Sequence, residues 1–127
     1  MLEFINTTGA AASNLPFSPA VRAGGVLYLS GAIGNLPGKM ELVPGGIAAE
    51  SRQMMENIDA VLKAAGSDWG RIAKCVVYLA DMGEWAAFNE VYVPYFAAGK
   101  FPARTAIGAH RLILGARVEM ECWAAAD

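Results

Sequence analysis

Charge is scarce in this chain. Of its 127 residues, 17% are Asp, Glu, Lys or Arg, against about 25% in an average soluble domain. Neither sign dominates: ten Lys and Arg stand against twelve Asp and Glu, for a net charge of -2. Nucleic acid is therefore not an expected partner, because phosphate-backbone binding needs clustered basic residues. Histidine is nearly missing. His110 alone cannot anchor a zinc cluster, and Cys75 and Cys122 form no CxxC pair, so no metal site is expected. Two separated cysteines in strand-like segments read as buried free thiols. The chain has no GxSxG elbow, no Walker A loop and no GxGxxG, which removes the usual hydrolase elbow and the nucleotide-binding loops. No apolar run approaches the ~20 residues of a membrane span. Residues 1–6 show no basic segment followed by an apolar stretch, so no export signal is expected and the location is read as cytoplasmic.

What is plentiful is apolar material. Residues of the set AVILMFWYC make up 55%, and the mean hydropathy is +0.34. A chain of this length is read as one domain, 1–127, able to build its own core. Its apolar surplus exceeds what a small monomer buries and points to subunit interfaces.

The pattern along the chain is that of an α+β domain. A short strand is expected at 3–6, a loop at 9–19 and a strand at 25–31. Breakers crowd 31–46, with room for a short edge strand at 41–43. From 47 to 65 apolar residues recur at helical spacing: Ile47, Met54, Ile58, Val61, Leu62 and Ala65 share one side. Gly66 stands where a helix C-terminal glycine belongs. A strand follows at 71–79, apolar on both alternating sets, as in a strand covered on both faces. Asp81-Met82-Gly83-Glu84 resembles a capping box opening a second helix, whose apolar side holds Trp85, Phe88, Val91, Tyr92, Tyr95 and Phe96. Pro94 should loosen its last turn. Strands are expected at 104–109 and 117–125. In the last one Val118, Met120 and Cys122 point one way, and Arg117, Glu119, Glu121 and Trp123 the other. Two helices on one sheet face leave the second face to be covered by another copy of the chain.

Few residues can carry chemistry. His110, beside Arg111 in an expected turn, reads as a solvated side chain rather than a catalytic base. Arg104 opens a strand with no other charge, where an arginine is costly without a partner. Its planar fork suits bidentate binding of a carboxylate, from a side chain or a substrate. Glu119 and Glu121 lie on the polar face of the next strand, and periodicity does not choose between them. If strands 104–109 and 117–125 pair antiparallel, Arg104 and the glutamate line one cavity. A mutual salt bridge would be the purely structural use of the same residues.

Several segments together resemble the RidA/YjgF family of reactive intermediate deaminases, also labelled endoribonuclease L-PSP. They are Pro16-Phe17-Ser18-Pro19-Ala20-Val21 with Leu29-Ser30-Gly31, the run from Arg52 through Gly66, and Val77-Tyr78-Leu79-Ala80-Asp81-Met82 with Phe88-Asn89-Glu90-Val91-Tyr92. Phe101-Pro102-Ala103-Arg104-Thr105 and Val118-Glu119-Met120-Glu121 complete the set. The resemblance spans essentially the whole chain, in order. It implies a chorismate-mutase-like (YjgF-like) α+β fold, a mixed sheet with two helices on one face, assembled as a homotrimeric barrel with clefts between subunits. It implies hydrolysis of 2-imino acids, 2-aminoacrylate type included, to 2-keto acids and ammonia, with no metal or organic cofactor. Arg104 matches the carboxylate-binding arginine and Glu119 the acid that orients water. Phe17, Ser30, Gly31 and Asn89 match cleft-lining positions, and Ala106 one whose backbone would meet the substrate.

This sequence departs from the family pattern in ways that change the cleft. Phe17 stands where tyrosine is common, Pro19 and Ala32 where glutamines are common, and Ile113 where proline is frequent. The cleft is more apolar for it, which points to a bulkier or more apolar imino acid. Two other functions fit the same residues: a non-catalytic trimer that binds small carboxylates or partner proteins, and a divergent catabolic hydrolase using the same cleft.

Overall fold

The computed structural model describes residues 1–7 and 15–126. Six strands form one mixed sheet: β1 (Glu3–Ile5), β2 (Ala20–Ala23), β3 (Val26–Leu29), β4 (Ile72–Leu79), β5 (Ala103–Gly108) and β6 (Val118–Ala125). Their order across the sheet is β1-β2-β3-β6-β4-β5. Every neighbouring pair is antiparallel except β4 and β5, which run parallel. Helix α1 is Ile47–Ala64 and α2 is Trp85–Tyr92. The β4–α2–β5 segment is thus a crossover unit, the connection that parallel strands require.

One face of the sheet is closed by the helices. Met54, Met55, Ile58 and Leu62 of α1 and Phe88 and Tyr92 of α2 are buried against Leu27, Leu29, Cys75, Val77, Leu79, Val118, Met120 and Cys122. The other face is only partly covered. Tyr28 and Ile107 are exposed, and Val76, Tyr78, Glu119, Glu121 and Trp123 are half-buried. Strand β6 alternates strictly between the two environments, as its sequence predicts.

Local chemistry explains the element ends. Gly66 has φ +71. Its N–H donates to Lys63 O at 3.0 Å and Ser67 N–H to Leu62 O at 2.8 Å, a Schellman closure that a residue with a Cβ fits poorly. After Tyr92 the chain narrows into a short 3-10 helix, Val93–Tyr95, because Pro94 has no N–H to continue the α-helix.

Several expectations are corrected. The first strands form a hairpin, Ala20–Ala23 with Val26–Leu29. Sequence reading missed β2 because Ala20 and Ala23 carry no strand signal; Gly24, at φ +58, makes the two-residue turn possible. The loop expected at 9–19 falls mostly outside the described residues. The segment 41–43 contributes a single bridge, Leu42 to Asn35, and no strand. Asp81 does cap a helix start, accepting from Gly83 N–H at 2.8 Å, but it caps the 3-10 helix Met82–Glu84 that precedes α2. The Glu84 side chain pairs with Arg117 at 2.6 Å instead of closing a capping box. A register shift between Ile72 and Lys74 turns Ile72 into the core, whereas strict alternation puts it with Lys74. The largest change concerns β5 and β6, which do not pair: β4 lies between them.

Two polar contacts place the loop after β3. The Asn57 amide of α1 donates to Ile33 O and Asn35 O, both at 3.0 Å. Ala32 and Met120 exchange backbone hydrogen bonds of 2.9 and 3.0 Å. The chain at Gly31 is thereby held against β6.

Candidate functional site

The register assigns each candidate to a face. Arg104 lies beside Cys75, and Ala106 beside Val77. Cys75 and Val77 are buried under the helices, so Arg104 and Ala106 project on the helix side. Glu119 lies beside Tyr78, on the opposite, open face, with Glu121. Arg104 and Glu119 of one chain therefore face away from each other, and the single cavity expected from direct pairing of their strands is not formed.

Around Arg104 the site is aromatic. Its guanidinium carbon lies 4.6 Å from the ring centre of Tyr92, 5.5 Å from Phe88 and 5.8 Å from Trp85, within the range of cation–π attraction. No ion pair or hydrogen bond links the Arg104 side chain to another described residue. The salt bridge with Glu119 that would make both residues merely structural is not there. Arg104, Asn89, Tyr92, Val93, Phe101 and Pro102 line a cavity of about 270 Å³. Asn89 Oδ1 is buried without a hydrogen-bond partner among the described residues, and the Tyr92 hydroxyl is buried as well. Burial pushes the Tyr92 phenol well above its ordinary pKa, with the Cys75 thiol beside it adding to the effect. β5 is the sheet edge, so part of its backbone, next to Ala106, is unpaired by strands of this chain.

The second group surrounds Glu119. A Cβ built on Gly31 would overlap the Glu119 carboxylate, so the bare backbone of Gly31 is what lets that side chain lie there. Ser30 is fixed by its own contacts: its hydroxyl donates to Ser18 O at 2.6 Å and its N–H to Pro19 O at 2.9 Å. This ties the Phe17 segment to the end of β3, with Phe17 itself exposed. The Glu119 carboxyl is raised above its ordinary pKa, chiefly by burial and then by the neighbouring Glu121 charge. Glu121 accepts from the Tyr78 hydroxyl at 2.5 Å, and that bond holds the tyrosine proton more tightly than in a free phenol.

The candidates thus fall into two sets: Arg104, Asn89 and Ala106 on the helix side, and Phe17, Ser30, Gly31 and Glu119 at the other. His110 is exposed, outside both. A cavity of about 310 Å³ at the end of α1 involves Arg22, Ser67, Asp68 and Arg71 and contains none of the candidates. Arg22 there donates to Ala65 O and Arg71 to Ala125 O. Cys75 and Cys122 are free, buried and directly opposed on β4 and β6, with sulfurs 3.3 Å apart. Sequence reading missed the aromatic set around Arg104. Its signal was the spacing of Trp85, Phe88 and Tyr92 on one side of α2, which reads equally as ordinary core. No group of acidic, His and Cys side chains suited to a metal ion occurs among the described residues. No helix there is long and apolar enough to cross a membrane.

Comparison with known proteins gives consistent matches. The family model described as "Endoribonuclease L-PSP" matches residues 7–126. A mouse protein named 2-iminobutanoate/2-iminopropanoate deaminase is 42% identical over 119 residues, covering 94% of this chain and 87% of its own. Among solved structures, the Rid-family protein YyfA from Yersinia pestis superposes with a TM-score of 0.92 at 34% identity, covering 98% of this chain and 99% of that one. E. coli TdcF, solved with bound serine, matches with a TM-score of 0.88 at 29% identity over 98% and 99% of the two chains.

Proposed function

The chain belongs to the RidA/YjgF family, described as endoribonuclease L-PSP, and from that premise we propose that it hydrolyses reactive 2-imino acids to 2-keto acids and ammonia. The observation that carries the reading is the state of Arg104. It is a half-buried guanidinium held by ring faces, with its N–H donors uncommitted to any described residue. Such a group is prepared for a planar carboxylate. The relative named as an imine deaminase and the structural neighbour bound to serine support a small carboxylate as occupant.

In this reading Arg104 binds the substrate carboxylate and fixes the position of the imine carbon. Glu119 takes a proton from water as the oxygen attacks that carbon and the C=N bond opens. That proton passes to nitrogen to give a tetrahedral carbinolamine. Glu119 then takes the proton of the new hydroxyl and delivers it to nitrogen as well, so the C–N bond breaks and ammonia leaves as the C=O forms. Water is consumed and nothing is oxidised or reduced. A carboxyl whose pKa burial has raised is suited to both halves of the shuttle, since general acid–base groups work best near the operating pH. An imine is already electrophilic, so positioned water is enough and no activated nucleophile is required.

Because Arg104 and Glu119 of one chain lie on opposite sheet faces, the working cleft in this reading joins Arg104, Asn89 and Ala106 of one copy to Phe17, Ser30, Gly31 and Glu119 of the next. Closed rings of identical chains generate such heterologous contacts. The partly covered sheet face supports a homotrimer arranged in this way.

The test generates imino acids in situ with an amino-acid oxidase and follows keto-acid release, with small and bulky side chains. The reading expects acceleration by the wild type and its loss in Arg104→Ala. No acceleration with any imino acid refutes it.

A further inference from the structure

We infer that Tyr92 is the positioning residue for Arg104, its ring face fixing the guanidinium in the orientation that receives a carboxylate. The inference deepens the reading above and rests on it. An arginine on an edge strand has several rotatable bonds and would ordinarily be held by an acidic side chain. That solution would neutralise the charge and occupy the donors that a substrate needs. Among the described residues Arg104 has no such partner. Aromatic faces hold a guanidinium while leaving its in-plane N–H groups free.

Of the three rings near Arg104, Tyr92 is nearest at 4.6 Å. It is also fixed in place. It is 3% exposed and packs against Phe88 at 5.4 Å and Phe96 at 4.8 Å between ring centres. Trp85, by contrast, is exposed. The Tyr92 ring projects from α2 toward β4 and β5, where Cys75 lies beside Arg104 in register. The Tyr92 hydroxyl makes no hydrogen bond to Arg104. Its role in holding Arg104 is therefore assigned to the ring and not to the oxygen.

Ring and oxygen are separable by experiment. Tyr92→Phe removes only the oxygen. Placing phenylalanines with one, two and three fluorines at position 92 then drains the ring face of negative charge in steps while nearly preserving its size. The readouts are 2-oxobutanoate affinity by calorimetry, KM and kcat for the 2-imino acid, and the melting temperature. The inference expects Tyr92→Phe to bind within about twofold of the wild type. It expects affinity to fall at each fluorination step, reaching roughly fivefold over the series, with KM rising in parallel and kcat and melting temperature changing less. A loss in Tyr92→Phe as large as that of the full series moves the role to the hydroxyl and overturns the inference. A flat fluorine series overturns it too, since a ring that only fills space would give that result. Failure of the underlying reading looks different: the wild type would neither turn over imino acids nor bind 2-oxobutanoate through Arg104, and the inference would fall with it.

Discussion

Mixing two inactive variants tests the shared cleft most directly. In one chain Arg104 and Glu119 are separated by two strand spacings of about 4.8 Å and by three residues of about 3.3 Å along β4, roughly 14 Å between backbones. Their side chains then leave from opposite faces. Arg104→Ala should lose a bidentate charged contact, and Glu119→Gln the proton shuttle. Each is expected to lower kcat/KM by about 100-fold or more. Co-expression of the two variants in equal amounts lets them assemble at random. A cleft that takes Arg104 from one copy and Glu119 from another is intact when the first copy is Glu119→Gln and the second Arg104→Ala. That occurs in about one cleft in four. Keto-acid release should rise to about a quarter of the wild-type rate, far above the sum of the parents. A mixture no more active than its parents would mean that each cleft draws both residues from one chain, and would refute the shared-cleft reading.

Three further outcomes follow from the same geometry. Gly31→Ala drives a Cβ into the Glu119 carboxylate, and kcat/KM should fall at least about tenfold, ~1.4 kcal/mol, with the far-UV circular dichroism spectrum retained; an active variant would show that the carboxylate's position is not needed. The Glu119 carboxyl is raised by burial, so the folded state holds its proton more tightly than the unfolded state does. Its stabilising contribution is present below the unfolded glutamate pKa and is lost as pH rises through the raised folded value. Glu119→Gln should therefore melt higher than the wild type at pH 8, and the gap should close on acidification below the ordinary glutamate range; thermal melts across pH check this. Gly66→Ala places a Cβ at φ +71 with open space around it, so only backbone strain opposes it. The expected cost is about 1 kcal/mol, a fall in melting temperature of roughly 4 °C for a chain of this size. An unchanged melt would contradict the Schellman assignment.

Much of the fold can be read from short-range chemistry. The apolar face of α1, the glycine that closes it, the proline that ends α2 and the in–out alternation of β6 are all encoded within a few residues of where they act. Glu119 and Glu121 could therefore be assigned to one face from sequence. The choice of Arg104 and Glu119 as the working pair came with the family resemblance, because periodicity treats Glu119 and Glu121 alike.

What local patterns do not carry is which strands become neighbours. The parallel crossover brings β5 back beside β4, and β4 then separates it from β6. Strand order is fixed by pairing between residues far apart in the chain. Alternation reports a side chain's face relative to its own strand, not relative to another strand. For that reason the sequence places Arg104 and Glu119 on strands but not on opposite faces. Trp85, Phe88 and Tyr92 read there as core, and only β5 lying beside β4 under α2 turns them toward an arginine. Gly31 likewise reads as a loop glycine until Asn57 and Met120 hold its backbone against Glu119. The sequence by itself determined the elements, their buried faces and the residue types available for chemistry. The tertiary structure decided which of them meet, because that depends on long-range strand pairing and packing that no local period records.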